Sequence, residues 1–380
     1  MGYLLSIVIP TKDRYEYLEQ LIDLIISFRS DDVEVVIQDN TNNNERIIRF
    51  LESRNTTNIK YYHISEQISI SLNSDKAILN SSGKYVCFIG DDDGVTRYII
   101  DCVKWMDEND IGILRSEYAI HKWPSYRSPK MMKISGTLLT GDFDNSFCFY
   151  NSVDCLKKLL STGINNLKEM PKVYNGIVRR DILDRIFKKC ETFFPGPSPD
   201  MANAVALCLV EDRFCKINCP IIIGGHSAHL GGDTNRYAKN WGPLEDQKFI
   251  SAEDKANWSK MIPKVWSSST VWPQSAISAI ERMERSDLLS CIDYDKVLSY
   301  FAFKCPDIQA MAYERCEDNN KLSKNILRCR IAAFSHKIKM GFDYFLLNKS
   351  DGLTIYRGVH NIIEAENLLS GKFMFNPENK

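Results

Sequence analysis

The sequence predicts an α/β fold in which a mostly parallel sheet carries helices on both faces. Short apolar runs and amphipathic helical patterns alternate four times within the first hundred residues, which is the pattern of parallel strands joined by crossover helices. The runs are β-branched and almost continuously apolar, as expected for strands buried on both faces. Polar residues follow the runs directly, and ligands of such sheets bind beyond the carboxyl ends of the strands.

The first four strands are predicted at 4–9, 33–37, 59–64 and 85–89. The segments between them place apolar residues three and four positions apart, which indicates helices with one buried face. The pattern loosens after Gly94, where helices are predicted near 96–109, 152–160, from 180 onward and at 200–210. Further strands are predicted near 111–114, 133–139, 173–178 and 219–223.

A long loop divides the chain. Residues 224–242 are rich in Gly, Asn and His, as is typical of mobile surface loops. We therefore predict a first domain at 1–225, a flexible lid loop at 226–243 and a mainly helical region at 244–380.

Composition excludes several classes of protein. The 48 Lys and Arg against 49 Asp and Glu give a net charge of −1, so a general attraction to nucleic acid is not expected. No apolar stretch approaches the roughly 20 residues that a membrane span needs. The twelve cysteines are scattered without a CxxC pair, which predicts reduced thiols in a cytoplasmic protein.

Three adjacent aspartates, Asp91, Asp92 and Asp93, follow the fourth strand. Like charges so close repel one another, and a bound divalent cation such as Mg²⁺ or Mn²⁺ removes that repulsion. A solvated acidic turn is the alternative. Asp39 ends the second strand, where a carboxylate can accept hydrogen bonds from a ribose or a base, or form an Asx turn. No GxGxxG or Walker A motif is present, which argues against a dinucleotide oxidoreductase and a P-loop NTPase.

Three blocks of residues resemble family 2 glycosyltransferases with the GT-A fold. They are Ser6-Ile-Val-Ile-Pro-Thr-Lys-Asp-Arg14, Val35-Val-Ile-Gln-Asp-Asn40 and Gly83-Lys-Tyr-Val-Cys-Phe-Ile-Gly-Asp-Asp-Asp93. The aspartate triplet matches the DxD motif of that family. The resemblance implies a nucleotide-sugar donor, most commonly a UDP-sugar, a divalent metal, and inversion at the anomeric carbon.

The resemblance also implies roles for individual residues. Asp39 would hold the base or ribose, Asp91 and Asp93 the metal and diphosphate, and Asp92 the donor sugar. The family often carries Arg-Asn before the strand that precedes the DxD motif, but this chain has Ser74-Asp75-Lys76. The remaining donor-binding residues would be Pro10, Thr11, Asp13 and Arg14 of the first block, with Asp75 or Lys76 substituting for Arg-Asn.

An inverting transfer needs a general base for the acceptor hydroxyl. In the family that this sequence resembles, the base is a carboxylate near the start of a helix in the second half of the domain, so the resemblance implies Asp200. The alternative for Asp200 is a simple helix cap, and Glu211-Asp212 is the reserve pair.

The glycine-rich loop supplies further candidates. Its glycines permit hinge motion, and His226 or His229 is placed to ligate the metal or donate to phosphate. Arg236 is placed to neutralise diphosphate charge. An ordinary flexible loop with exposed histidines is the alternative.

The segment 321–349 is basic, with seven Lys or Arg against one Asp, and has apolar residues at helical spacing. Such a helix can lie on an anionic membrane surface, or it can dock on its own protein or on a second copy in a homo-oligomer.

The resemblance thus implies a metal-dependent, inverting glycosyltransferase that acts on a growing, lipid-linked glycan of a bacterial surface polysaccharide. A sugar-1-phosphate nucleotidyltransferase and a non-catalytic binding protein remain alternatives.

Overall fold

A computed structural model describes residues 2–54, 57–128, 132–228 and 241–377. Within these residues, twelve strands form one mixed sheet and two short strands form a separate ladder. The strands of the large sheet are β1 Leu5–Thr11, β2 Val33–Asp39, β3 Ile59–His63, β4 Tyr85–Phe88, β5 Gly94–Val95, β6 Ile113–Lys122, β7 Thr137–Thr140, β8 Phe147–Asn151, β9 Ile177–Arg179, β10 Arg213–His226, β13 Lys349–Ser350 and β14 Leu353–Arg357. The separate pair is β11 Gly242–Pro243 and β12 Val265–Trp266.

The helices surround this sheet. Those of the first half are α1 Tyr15–Ser27, α2 Glu45–Glu52, α3 Ile70–Leu79, α4 Ile99–Glu108, α5 Ser152–Ser161, α6 Arg180–Cys190 and α7 Pro199–Val210. Those of the second half are α8 Ala252–Ala256, α9 Ser268–Arg282, α10 Tyr294–Lys304, α11 Ala310–Tyr313, α12 Asn319–Leu347 and α13 Ile362–Ser370.

The first four predicted strands are confirmed as a parallel block in the order β3–β2–β1–β4. Beyond β4, the strand β9 runs antiparallel to both β4 and β6, so β6 points in the same direction as β4. The strand β10 is parallel to β6. The carboxyl ends of six strands therefore lie toward one edge of the sheet, where ligands of such sheets bind.

Two predicted strands begin later than the sequence pattern suggested. The strand predicted at 173–178 starts at Ile177, because Asn175 adopts a φ of 56° and Gly176 N–H bonds to Val173 O at 3.1 Å in a turn. The strand predicted at 133–139 starts at Thr137, directly after Gly136, whose φ is +62°. A left-handed backbone interrupts the extended conformation in both places.

Helices cover both faces of the sheet, as predicted. Along β1 the side chains alternate between two cores: Val8 packs with the helices α5 to α7 and α9, while Ile7 and Ile9 pack with α1 and α4. All three side chains are fully buried. Burial on both faces explains why these runs are continuously apolar.

The region after residue 244 is mainly helical, as predicted, but its end returns to the sheet. The hairpin β13–β14 joins the large sheet by pairing with β7. Glu366 of α13, which is 1% exposed, binds the guanidinium of Arg97 at 2.7–2.8 Å. The domain limits of 1–225, 226–243 and 244–380 stay a prediction. The pairing of β14 with β7 and the contact of Glu366 with Arg97 show that the last segment packs on the first.

All twelve cysteines are free thiols. Among the described residues, no helix combines the length and apolarity that a membrane span requires.

Candidate functional site

The aspartate triplet lies at the carboxyl edge of the parallel block. Asp91, Asp92 and Asp93 follow β4 and are only 3%, 4% and 2% exposed. The Trp123 Nε1–H donates to the backbone carbonyl of Asp92 at 2.8 Å. This contact helps to hold the turn that carries the three carboxylates, and it excludes a freely solvated acidic turn.

Two residues of the first block contact the triplet. Thr11, the last residue of β1, donates from Oγ1 to Asp91 Oδ2 at 2.7 Å. The guanidinium of Arg14 lies 3.2 Å from Asp91 Oδ1 and 2.5 Å from Asp92 Oδ2. Ser227 joins this group, since it accepts from Arg14 at 2.9 Å and donates to Asp92 at 2.8 Å. The structure thereby brings together residues 77 and more positions apart in the chain.

Asp93 is held by backbone groups. Its Oδ2 accepts from Gly90 N–H at 2.8 Å and its Oδ1 accepts from Gly225 N–H at 2.7 Å. A Cβ at position 225 would lie 1.7 Å from the carbonyl oxygen of Asp92. Only glycine allows β10 to approach the triplet this closely, so Gly225 is part of the site although it contributes no side chain.

Burial raises the pKa of Asp91, and the charge of Asp92 adds to the rise while Arg14 opposes it. Burial and the charge of Asp92 likewise raise the pKa of Asp93, against the two backbone hydrogen bonds. Desolvation disfavours the ionised form of a carboxylate, and a nearby cation restores it. The site is therefore built to receive positive charge.

The residues present fit a divalent cation that takes part of its ligands from the substrate. Asp91 Oδ1 is buried without a hydrogen bond and faces only the cationic Arg14. Carboxylate oxygens suit Mg²⁺ and Mn²⁺, and such ions often bind through one or two carboxylates together with substrate phosphates. A complete protein cage is not needed for this, and across 2–54, 57–128, 132–228 and 241–377 no three His, Cys, Asp or Glu side chains converge on one metal position.

The predicted ligand set of Asp91, Asp93 and His226 is thus not brought together. His226 ends β10, and its Nδ1 lies 2.7 Å from Lys122 Nζ rather than at the triplet. Burial and the neighbouring Lys122 lower the pKa of His226 to about 4. Burial lowers the pKa of Lys122 to about 8. The alternation of a strand explains the separation, because Gly225 faces the triplet and the next residue points away. Arg236 and His229 lie outside the described residues.

Asp39 ends β2 and is fully buried. Its Oδ2 accepts from the hydroxyls of Tyr15 at 2.6 Å and Tyr61 at 2.7 Å, and its Oδ1 accepts from Thr41 N–H at 2.8 Å. A ligand can reach this carboxylate only if a tyrosine hydroxyl moves. Asp13 lies nearby and donates from its backbone N–H to Thr41 Oγ1 at 2.7 Å, while Pro10 is half-buried within β1.

A shallow groove of about 540 Å³ opens beside Asp39, beyond β1 and β2. It is lined by Asp13, Tyr15, Glu16, Thr41, Asn42, Asn43, Glu45, Arg46 and Arg49. Polar side chains of both signs surround it, so it can accept a polar ligand at the carboxyl edge of the sheet.

Asp75 is not part of this edge. It is buried in α3, where it accepts from Thr192 Oγ1 at 2.7 Å and from Phe193 N–H at 2.8 Å. Burial raises its pKa to about 6. These contacts join α3 to the segment before α7, which is a structural role. Lys76 faces the other way, into a smaller cavity that it shares with Gln38 and His63.

Asp200 occupies the first turn of α7 and is half-buried. Its Oδ1 accepts from the Ser198 hydroxyl and from Met201 N–H. Burial and the charge of Arg115 lower the pKa of Lys172 to about 8. The negative charges of Asp200 and Asp93 oppose this decrease. Of the reserve pair, Glu211 binds Arg185, and Asp212 is exposed.

Sequence reasoning missed Ser227, Gly225, Tyr174 and Lys122. The GGHS stretch of the loop predicts a histidine ligand, yet it is Gly225 and Ser227 that contact the aspartate triplet. No pattern in the sequence marks Tyr174, whose hydroxyl adjoins Asp93 and whose pKa burial and the three aspartates raise.

Comparison with known proteins agrees with this geometry. Residues 6–167 match the family model described as glycosyl transferase family 2. A search of curated proteins found no match. The segment 6–167 contains the aspartate triplet, β2 to β4, and β1 except for its first residue, whereas Gly225 and Ser227 lie outside it.

Among solved structures, S. aureus TarS 1–349 in complex with UDP-GlcNAc has 15% sequence identity and a TM-score of 0.49, covering 86% of this chain and 92% of that chain. The mannosyltransferase PcManGT from Pyrobaculum calidifontis, in complex with GDP-Man and Mn²⁺, has 13% identity and a TM-score of 0.39, covering 86% and 87%. A longer structure of S. aureus TarS has 17% identity and a TM-score of 0.41, and the match covers 58% of this chain and 36% of that chain.

The family assignment depends on the match to the family model and on the residues that it contains. Residues 6–167 therefore carry a glycosyltransferase family 2 domain.

Proposed function

We propose that this protein is a divalent-cation-dependent, inverting glycosyltransferase that moves a sugar from a nucleotide-sugar to a hydroxyl group of a glycan. The main support for this proposal is the buried triplet Asp91–Asp93, which contacts Thr11 and Arg14 at the carboxyl edge of the sheet. We take a UDP-sugar as the donor, as the family resemblance implies. The proposed acceptor is a lipid-linked glycan of a bacterial surface polysaccharide, used at the cytoplasmic face of the membrane.

The donor diphosphate would lie against the triplet. The cation, when bound, supplies positive charge that stabilises the departing diphosphate. Asp91 and Asp93 would hold it, while Thr11 positions Asp91 and the backbone of Gly90 and Gly225 positions Asp93. Arg14 now neutralises Asp91 and Asp92, and from that position it is close enough to pair with a phosphate instead.

Asp200 would act on the acceptor. It accepts the proton of the acceptor hydroxyl as that oxygen attacks the anomeric carbon from the face opposite the diphosphate. The new glycosidic bond forms while the bond between the sugar and the diphosphate breaks, and the bonding electrons leave with the diphosphate. The half-buried place of Asp200 in the first turn of α7 supports this role.

Release of a nucleoside diphosphate tests the reaction class. The native chain is incubated with UDP-, GDP- and dTDP-sugars, with Mn²⁺, Mg²⁺ or a chelator. We expect slow hydrolysis of one donor that requires the metal and is lost in Asp91→Asn, whereas the surface variant Asp23→Asn keeps it. Absence of diphosphate release from every donor would contradict the proposal.

The same assay separates the alternatives. A sugar-1-phosphate nucleotidyltransferase would release pyrophosphate from a nucleoside triphosphate and a sugar phosphate. A non-catalytic binding protein would be stabilised by a donor without turning it over.

The assignment of the base needs a paired comparison. Asp200→Asn should abolish transfer to the acceptor and leave donor affinity unchanged, because the base contacts only the acceptor proton. Asp212→Asn, an identical change in the reserve pair, should retain transfer. Loss of transfer in Asp212→Asn with turnover preserved in Asp200→Asn would reverse the assignment.

A further inference from the structure

The helix α12 has two apolar faces, of which only one packs on the protein. Its inner face buries Leu322 and Ile326, which lie in a small core with α10. Its outer face carries six large apolar side chains that are each 55% to 66% exposed. These are Leu327, Ile331, Phe334, Ile338, Phe342 and Phe345.

The six side chains form one stripe, which we call the outer stripe. Their spacings are four, three, four, four and three residues, so all of them fall within a narrow sector of the helix. The stripe spans 19 residues of a 29-residue helix, which is about 27 Å at 1.5 Å per residue. Solvent-exposed apolar patches of this continuity mark interaction sites.

Positive charges line both edges of the outer stripe. At 100° per residue, Arg328 and Lys339 lie on one edge, about 80–100° from the centre of the stripe, and Arg330 and Lys337 lie at the same angle on the other. All four side chains are exposed. The one acidic residue of the helix, Asp343, is buried away from the stripe. The outer face is therefore an apolar strip between two rows of cations.

This charge pattern selects between the possible occupants. A second copy of α12 packed on the stripe would bring basic edges against basic edges with no acidic partner, and like charges at such flanking positions oppose pairing. An anionic lipid surface satisfies both features. The apolar strip enters the boundary between headgroups and acyl chains, and the Lys and Arg side chains extend sideways to the phosphates.

We propose that α12 docks this protein on the surface of an anionic phospholipid membrane through the outer stripe. The helix lies in the plane of the membrane and does not cross it. It is tied to the catalytic sheet, because β13 and β14 follow it directly and β14 pairs with β7. Docking would therefore fix the orientation of the sheet relative to the membrane. The proposal does not depend on which sugar or acceptor the enzyme uses.

Vesicle flotation of the full chain tests the proposal. The probes are vesicles of phosphatidylcholine alone and of phosphatidylcholine with 30 mol% phosphatidylglycerol. We expect binding to the anionic vesicles only, weakening as salt rises because surface charges are screened. Phe334→Ser with Ile338→Ser should reduce binding at least about tenfold, since burying one such side chain is worth roughly tenfold or more in an equilibrium constant. Arg330→Glu with Lys337→Glu should reduce binding to the same extent.

The matched control is Leu72→Ser with Leu79→Ser on α3, which are also exposed apolar residues. This control should bind anionic vesicles like the native chain, and the outer-stripe variants should keep native donor hydrolysis, which separates this proposal from the proposed function. No flotation with anionic vesicles would overturn the proposal. So would a dimer in sedimentation that Phe334→Ser with Ile338→Ser converts to monomer, because the stripe would then bind a second copy.

Discussion

Replacing Arg14 by glutamine removes the positive charge that lies against two buried carboxylates. The Arg14 side chain is 16% exposed, and those of Asp91 and Asp92 are 3% and 6% exposed. Removing one partner of a buried ion pair costs about 3–5 kcal/mol. The partial exposure of Arg14 and the ability of aspartate to take up a proton both reduce that cost, so we expect about 3 kcal/mol at pH 8.

The loss should depend on pH in a defined direction. Asp91 and Asp93 already have raised pKa values in the folded state because they are buried. A carboxyl with a raised pKa keeps its proton in the folded protein and loses it in the unfolded chain, so stability falls as pH rises above about 4. Without Arg14 the pKa of Asp91 rises further. The destabilisation by Arg14→Gln should therefore be larger at pH 8 than at pH 5.

The measurement is thermal unfolding of the native chain, Arg14→Gln and a control at both pH values. For 380 residues, unfolding entropies of about 2.1 cal/mol/K per residue convert 3 kcal/mol into a decrease of roughly 4 °C in Tm. The control is Arg54→Gln, which breaks an equally well-formed pair with Asp23 on the surface, where the expected cost is only about 0–1 kcal/mol. Equal Tm shifts for the two variants, or a Tm shift for Arg14→Gln that does not change with pH, would contradict this prediction.

Three further predictions concern the contact of β10 with the triplet, the support of α3, and the opposite edge of the parallel block. Gly225→Ala should destabilise the protein by at least about 1–3 kcal/mol and weaken donor binding in calorimetry, because its Cβ meets the Asp92 carbonyl. The matched control is Gly341→Ala on α12, where the new Cβ meets open space, and it should stabilise the protein by roughly 0.5–1 kcal/mol. A destabilising Gly341→Ala or a neutral Gly225→Ala would contradict this prediction. Asp75→Asn should leave donor affinity unchanged, since its carboxylate serves Thr192 and Phe193, and a clear loss of affinity would return it to the donor site. Glu34→Gln should destabilise by about 2–3 kcal/mol at pH 7 and by less at pH 4 in thermal unfolding. Burial alone would raise the pKa of Glu34, but Lys60, Ser6 and Ser82 lower it. The contribution of Glu34 to stability is therefore present at neutral pH and is lost as pH falls. A destabilisation that grows as pH falls would contradict this prediction.

Local residue patterns are enough to predict the parallel half of the fold. Strands that are buried on both faces must be continuously apolar, and crossover helices must bury one face. The spacing of apolar residues therefore predicts β1 to β4 and α1 to α3. The same logic placed Thr11, Asp39 and Asp91–Asp93 at strand ends. Local patterns could also mark α12 as amphipathic, because the six residues of its outer stripe recur at helical spacing.

Which of these side chains meet depends on packing between distant parts of the chain. Ser227 reaches Arg14 across more than two hundred residues of chain, and nothing in local sequence encodes a contact of that range. Asp39 proved to be enclosed by Tyr15 and Tyr61, and Asp75 to be a support for the segment before α7. His226 turned away from the triplet because the pleat of β10 gives that face to Gly225. Residue type and spacing determine where carboxylates cluster, whereas packing determines which of their oxygens remain open to a ligand.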